Sequence, residues 1–419
     1  MNLDEEVLAR AERIIREGYI CDRCLGRQFS TVIEAKNNKQ RGKIIKDALR
    51  ERGVEVREDG TCWICLDFFE ELDKWIKKVG EEFREIEFST FLVGSRLPPE
   101  ILESEELLWE KYGAEWSESI KLEVNREIGR EIASLLKKKV DFSRPDVVAI
   151  VDVEKGEVEL QIRSLYLGGR YRKLIRGIPQ THWPCGKCKG RGCEECEWSG
   201  KQYKESVEEL IGEPLLKLTE GKKAILHGAG REDIDARMLG SGRPFVIEIK
   251  EPRRRFLDLK KLEEEINKFA EGKIEVEGLT QVSLDFVQLI KEMRHDKTYR
   301  VRVSFESEVS HEKLREALEK LSGVVVKQRT PKRVTHRRAD KIRERKVYKV
   351  SLLSFDTREA TLEIKCESGL YVKELISGDD GRTVPNLSSL LSIPAKVLEL
   401  DVIDAGGLKW QNIMECRKR

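Results

Sequence analysis

The chain has 419 residues, 37% charged and 39% hydrophobic, with a formal net charge of +2. That length suits two or three domains with cores of their own. No apolar run approaches the ~18 residues of a membrane span and no charged-then-apolar leader opens the chain, so a soluble cytoplasmic protein without membrane partners is expected.

In chain order, residues 2–17 predict a helix: Asp4 caps it, Val7, Leu8, Ala11, Ile14 and Ile15 form one apolar face, and Gly18 ends it. Residues 40–52 predict another. From Asp67 to Glu131 there are 18 acidic residues against 9 basic ones, which reads as a solvated helical surface. Residues 141–180 read as a strand, a Lys-Gly turn, a second strand and a basic loop, with Val147–Val153 apolar enough for an inner strand. Residues 204–219 predict a helix, and a second α/β region follows. The Lys, Glu and Arg load with few Asn, Gln and Met fits a thermophile.

Eight of the 10 cysteines fall in CxxC pairs: Cys21/Cys24, Cys62/Cys65, Cys185/Cys188 and Cys193/Cys196. Two thiolates separated by two residues take two corners of a tetrahedron, and a second pair closes the site. Four sulfurs leave no open position, so zinc held this way would be structural. Pairing by sequence order gives one site from Cys21, Cys24, Cys62 and Cys65 and another from Cys185, Cys188, Cys193 and Cys196. A crossed pairing, disulfide or redox use and an iron–sulfur cluster are the alternatives. Cys366 and Cys416 stand alone.

The catalytic candidate is AILHGAGREDIDARMLGSGRPFVIEI, residues 224–249. Two apolar runs, Ala224–Leu226 and Phe245–Ile249, flank a loop rich in Gly, Arg and Asp, the kind of loop on which reactive side chains are displayed. The GxG of this loop lacks the third glycine of a dinucleotide fingerprint and carries acids where phosphate would bind. A carboxylate among Arg231, Arg237 and Arg243 would stay ionised. Residues 297–306 alternate like a strand. The stretch from Lys327 to Lys346 holds ten Lys/Arg against Asp340 and Glu344; Pro331 and the lack of periodicity through residues 328–341 predict a loop, and its charge suits RNA. Arg253, Arg254 and Arg255 extend the basic surface.

Four segments resemble known modules. "RPDVVAIVDV" followed by "LYLGGRYRK" is similar to the THUMP domain of tRNA-modifying enzymes, with Arg170, Arg172, Lys173 and Arg176 near Tyr166 and Tyr171 as the implied RNA contacts. "IDARMLG" resembles the pseudouridine synthases, in which an Asp follows an apolar residue and precedes a Gly by five positions; this marks Asp235, with "GRED" offering Asp233 as a competing alignment. "CESGLYVKEL", residues 366–375, resembles their late motif. It places Tyr371 in the uracil pocket and Lys373 as the basic partner of the Asp, a point charge where an Arg fork is usual. Tyr299 of "KTYRVRVSFE" would pack on the base. The longer string "GREDIDARMLGSGRPF" resembles the archaeal tRNA pseudouridine synthases that carry an N-terminal THUMP-containing domain with zinc cysteines.

The resemblance implies isomerisation of T-loop uridines 54 and 55 with Asp235 as nucleophile, structural zinc, no organic cofactor, and the tRNA T arm as partner of a monomer. Arg329, Lys332, Arg333, Arg337 and Arg338 are the further expected RNA contacts. The expected fold is α+β, with a pseudouridine synthase catalytic domain (a mixed central sheet crossed by a cleft) and an N-terminal α/β THUMP-containing accessory domain with zinc-binding CxxC pairs. The expected divisions are a helical segment with the first CxxC pairs over residues 1–66, the THUMP-containing RNA-binding domain over 67–182, the second cysteine cluster over 183–200 and the catalytic domain over 201–419. Another THUMP-type enzyme, methylating or sulfur-transferring, and a non-catalytic zinc-stabilised tRNA-binding protein are the competing readings.

Overall fold

A computed structural model describes residues 3–406 of the chain. Cys416 lies outside the described residues. The chain divides into two units, Met1–Arg163 and Ser164–Arg419.

The first unit opens with α1 (Glu5–Glu17), capped by Asp4, whose buried residues are the five of its predicted apolar face. Then come α2 (Asp22–Arg27), α3 (Asn38–Glu51), α4 (Leu72–Arg84), β1 (Thr90–Arg96), α5 (Pro99–Tyr112), α6 (Ile120–Leu136), β2 (Lys139–Val140), β3 (Val147–Asp152) and β4 (Glu157–Ile162). The strands form a sheet in the order β2-β1-β3-β4, with β1 parallel to both neighbours and β4 antiparallel to β3. Period-3.6 apolar stripes on the helices close over this sheet: Trp75, Val79 and Phe83 of α4 and Val124, Ile128 and Ile132 of α6 share a core with Phe91, Val93, Ala149 and Val151. The acidic stretch is mostly a solvated helical face, but Glu105 and Glu123 are buried and clamp the fully buried Arg27 at 3.2 and 3.1 Å.

The second unit contains β5 (Leu165–Lys173), α7 (Val207–Thr219), β6 (Lys223–Gly228), β7 (Ala236–Lys250), α8 (Leu259–Phe269), β8 (Ile274–Val282), α9 (Asp285–Glu292), β9 (Lys297–Phe305), α10 (His311–Leu321), β10 (Val325–Arg329), β11 (Ile342–Asp356), β12 (Glu359–Cys366), α11 (Val372–Ser377), β13 (Thr383–Val384), α12 (Leu387–Leu391) and β14 (Ala395–Asp404). Its sheet runs β13-β10-β11-β12-β9-β14-β7-β5-β8, with β6 added on β7. Neighbours are antiparallel except at the centre, where β14 and β7 run parallel. The fold is therefore α+β with a mixed central sheet. Tyr299 packs against both of its main cores, one under α10 and α12 and the other under α7 and α8.

One expectation is corrected here. "LYLGGRYRK" is not a basic loop closing the THUMP-like unit. It is β5, an inner strand of the second unit, hydrogen-bonded to β7 and β8. The physical reason is its period of two: Leu165, Leu167, Gly169, Tyr171 and Lys173 are all buried on one face.

Candidate active site

The loop between β6 and β7 delivers Asp233 and Asp235 to a cleft of about 850 Å³, lined also by Tyr299, Arg333, Tyr371 and Lys373. Asp235 stands one residue before β7, where that strand begins to pair with β14 through Ala236 and Leu400. The glycine five positions later has a steric cause. Gly240 has φ +56°, and a Cβ there would lie 1.9 Å from the Ile403 carbonyl oxygen on β14.

A buried network fixes the loop from below. The Tyr171 hydroxyl donates to Glu232, 2.9 Å from each carboxylate oxygen, and the Arg243 Nε donates to Glu232 at 2.8 Å. Gln180 donates to the Tyr171 hydroxyl at 2.8 Å and to the Gly230 carbonyl at 3.0 Å. The Lys173 ammonium donates to the carbonyls of Ile178, Asp233 and Ile234 at 2.9, 3.2 and 3.1 Å. Burial pushes that ammonium down to about 8. The Arg176 guanidinium holds the Asp235 carbonyl at 2.9 Å and the Asp401 carboxylate at 2.7 Å. Such support holds a reacting carboxylate in place before substrate arrives.

The opposite wall is α11. Lys373 places its Nζ 2.8 and 2.7 Å from the two carboxylate oxygens of Asp235, so one ammonium serves both. Partial burial pushes the Asp235 carboxyl up, but the Lys373 hydrogen bond and charge outweigh it and hold the group below the usual carboxylate range. Asp233 lies 3.4 Å from Lys373 and 3.2 Å from Arg333. The cations at the two aspartates are thus Lys373 and Arg333. Arg237 and Arg243, expected in that role, pair with Asp401 and Glu232 instead.

Tyr371 caps α11 and is held by Gln328, whose buried side chain accepts from the Tyr371 N–H and donates to its carbonyl, both at 2.9 Å. The Tyr371 hydroxyl accepts from Arg338 at 3.3 Å, and the Arg333 guanidinium lies 5.9 Å from the ring centroid. Tyr299 also lines the cleft, and burial raises its phenol.

The expected RNA contacts divide. Lys173 is buried, and Arg170 and Arg172 spend their donors internally, Arg170 on the carbonyls of Ser241, Gly242 and Gly406 and Arg172 on Glu275 and Glu277. Lys173 is thereby corrected from an RNA contact to a structural residue of β5, while Arg170 and Arg172 stay partly exposed. The basic segment 327–346 covers the end of β10, the start of β11 and the connection between them over residues 330–341, which has a short 3-10 turn, Lys332–Arg337, and is stitched by acids: Arg329 to Asp340 and Lys332 to Asp380. Arg333 bonds Glu374 at 2.7 Å, which makes it a wall of the cleft. Arg338 is exposed beside Tyr371, and the side chain of Arg337 lies outside the described residues.

Both cysteine sets converge. Within Cys21, Cys24, Cys62 and Cys65, and within Cys185, Cys188, Cys193 and Cys196, the sulfurs lie within 4.8 Å of one another. Recorded separations are 3.8 Å for Cys21–Cys65, 3.9 Å for Cys185–Cys193 and 3.8 Å for Cys188–Cys196. A tetrahedral ion with bonds of about 2.3 Å spaces sulfurs by roughly 3.8 Å, whereas a disulfide needs about 2.05 Å. Backbone N–H groups of Gly192, Cys193 and Gly200 point at sulfur in the second set. The donors fit a closed metal site.

Glu232, Gln180 and Gln328 escape sequence reasoning. A signal exists for Gln328, because Val326, Gln328 and Thr330 alternate onto the buried face, so an amide stands where an apolar residue belongs. Glu232 and Gln180 carry none.

The family model described as Pus10, C-terminal matches residues 166–405, and that described as Pus10 THUMP domain, archaeal matches residues 75–152. A tRNA pseudouridine synthase Pus10 from Methanothrix thermoacetophila is 46% identical, over 96% of this chain and 95% of that protein. One from Halorubrum lacusprofundi is 44% identical over 96% and 97%, and one from Methanothermobacter marburgensis 47% identical over 94% and 96%.

Proposed function

The chain belongs to the Pus10 family of tRNA pseudouridine synthases, and from that premise we propose that its targets are uridines 54 and 55 of the T loop and that Asp235 is the carboxylate that reacts. The observation that carries the second half is the Asp235–Lys373 contact inside the cleft. The reaction detaches uracil from C1′, rotates it and rejoins it through C5, with no net oxidation, so no organic cofactor is required. Lys373 keeps Asp235 ionised and aimed. Tyr371 and Tyr299 hold the base once it has left its stack, at a cost of a few kcal/mol. Both cysteine sets hold structural zinc, which supplies fold stability and no chemistry. Arg329, Lys332, Arg337 and Arg338 carry the tRNA grip. The partner is the tRNA T arm and the working state a cytoplasmic monomer.

The test is tritium release from tRNA transcripts labelled at C5 of uridine, because the new C–C bond displaces that hydrogen to water. Release by wild type and Asp233→Asn but not by Asp235→Asn is the expected result, and loss in Asp233→Asn alone would overturn the choice of nucleophile. Transcripts carrying cytidine at 54, at 55 or at both locate the targets; undiminished release from the doubly substituted RNA sinks the T-loop assignment.

A further inference from the structure

Three polar atoms that line the cleft make no hydrogen bond among the described residues. The Arg345 Nε and the His295 Nε2 are buried without one, although the Arg345 guanidinium donates from an Nη to the Glu344 carbonyl at 2.7 Å and lies 3.8 Å from Glu367. The half-buried Lys297 ammonium makes no hydrogen bond or ion pair there. They cluster at one end of three neighbouring strands: Lys297 on β9 lies opposite Cys366 on β12, and Cys366 lies opposite Val347 on β11, two residues beyond Arg345. A buried polar group without a partner is destabilising. Three around one cavity point to something that enters the cavity and satisfies them.

The chemistry of the missing partner follows from Lys297. A Cβ on Gly230 would lie 3.2 Å from the Lys297 Nζ and 3.1 Å from an Arg243 Nη, so this ammonium reaches the loop of the two aspartates beside a second cation. Arg243 is paired with Glu232 at 2.8 Å, so of these two cations Lys297 is the one without an ion pair among the described residues. Burial, and then the Arg243 charge, push the Lys297 ammonium down to about 8. The protein disfavours this charge, and an incoming anion would relieve it. Position decides which anion. Lys297 and Tyr299 share one face of β9 two residues apart, roughly 6.6 Å along the strand. A base lying on Tyr299 therefore has its own backbone phosphate on the face of β9 that carries Lys297.

We infer that Lys297, with Arg345, forms a phosphate subsite that holds the phosphodiester adjoining the target uridine while its base lies on Tyr299. The inference rests on the uridine reading above. It separates two roles within one strand: Tyr299 meets the base, and Lys297 fixes the backbone so that C1′ comes to Asp235 and not past it.

The test uses a T-arm hairpin with a single uncharged methylphosphonate either 5′ or 3′ of the target uridine, bound to wild type, Lys297→Gln and Lys297→Arg. One of the two substitutions should weaken wild-type binding by about tenfold or more, as expected for losing a charge-assisted contact. It should also flatten the salt dependence of log K by about 0.7. Lys297→Gln should show the same loss on unmodified RNA and no further loss with that methylphosphonate, while Lys297→Arg keeps the wild-type pattern. Additive losses overturn the subsite. So does a Lys297→Gln variant whose kcat falls with KM and salt slope unchanged, which would move Lys297 into proton transfer. If Lys297→Gln does not fold, wild type still decides, because unchanged binding to both methylphosphonates also overturns it. Tritium release from the unmodified hairpin is read in parallel, so a failure of the T-loop reading appears there and a failure of the subsite appears in the binding cycle.

Discussion

Asp235 carries two opposed influences, and with Asp235 as the proposed reacting carboxylate their balance would set the acid limb of catalysis. Partial burial raises its carboxyl; the Lys373 hydrogen bond and charge lower it further than burial raises it. The ionised form is the reactive one, so the rate should hold down through the ordinary carboxylate range and fall only below it. Lys373→Met leaves the burial unopposed by its main counterweight and keeps Asp233 as a like charge nearby. Its acid limb should therefore move upward, and kcat should drop about 10²-fold as an oriented charge is lost. A pH profile of tritium release for both proteins checks this; an unmoved limb in Lys373→Met would mean that another group sets it. Asp235 and Lys373 were expected because each sits in a string that resembles a pseudouridine synthase motif, and one spacing in the first string has a steric cause. Gly240 is the instance, since only a residue without a side chain fits against β14. Glu232 and Gln180 were not legible, because their roles depend on contacts with Tyr171, Arg243 and Gly230 that spacing does not encode.

At the scale of elements, capping and periodicity carried most of the reading: α1 begins after Asp4 and stops at Gly18 as its pattern requires, and β9 lies where alternation places it. β7 starts at Ala236, nine residues before the apolar run Phe245–Ile249, so much of the expected loop is strand. β5 was misread because its Arg and Lys count suggested a solvent-facing loop, while its period of two, with Tyr171 and Lys173 inward, governs where it goes. The first cysteine set and α2 form one mechanical unit. Cys24, Cys62 and Cys65 lie in the core, and Arg27 places two nitrogens 3.6 Å from the Cys24 sulfur while bonding Glu105 and Glu123. Two consequences follow for this element. With zinc in both sets as proposed, Cys24→Ser should reduce bound zinc from two equivalents to one by elemental analysis and lower the Tm of the first unit, with the second cysteine set untouched; loss of both equivalents would disprove independent sites, and two retained would remove Cys24 from the ligands. Arg27→Met should cost about 3–5 kcal/mol in urea unfolding, since it leaves the buried Glu105 without its cation and Glu123 with Arg23 alone. Burial already pushes Glu105 up against the pull of Arg27. In the variant Glu105 would rise further above its unfolded value, so the protonated form would favour folding and the deficit should shrink as pH falls and widen as pH rises.

At the scale of the whole molecule, the two units divide their cores cleanly. The first unit's apolar cluster uses buried residues from Val7 to Val151, and the second unit's two main clusters use residues from Leu165 onward. Asp235, Lys373, Tyr299, Tyr371 and the second cysteine set all belong to the second unit, which joins its cleft to a sheet and helices of its own. A fragment of residues 164–419 is therefore expected to fold and to keep the chemistry, because no group assigned to the reaction comes from the first unit. What it should lose is affinity. A long tRNA is held by many phosphate contacts, each adding to binding and to its salt dependence, and removing a unit that resembles an RNA-binding module removes some of them. The fragment should thus show kcat near that of the full chain at saturating tRNA, KM raised by about tenfold or more, and a shallower salt dependence. Equal KM would mean that the second unit alone grips the substrate, through the exposed β10–β11 connection and its cleft. A kcat lowered at saturation, with the fragment folded and its zinc retained, would mean that the first unit takes part in presenting the uridine to Asp235, and the division between grip and chemistry would have to be redrawn.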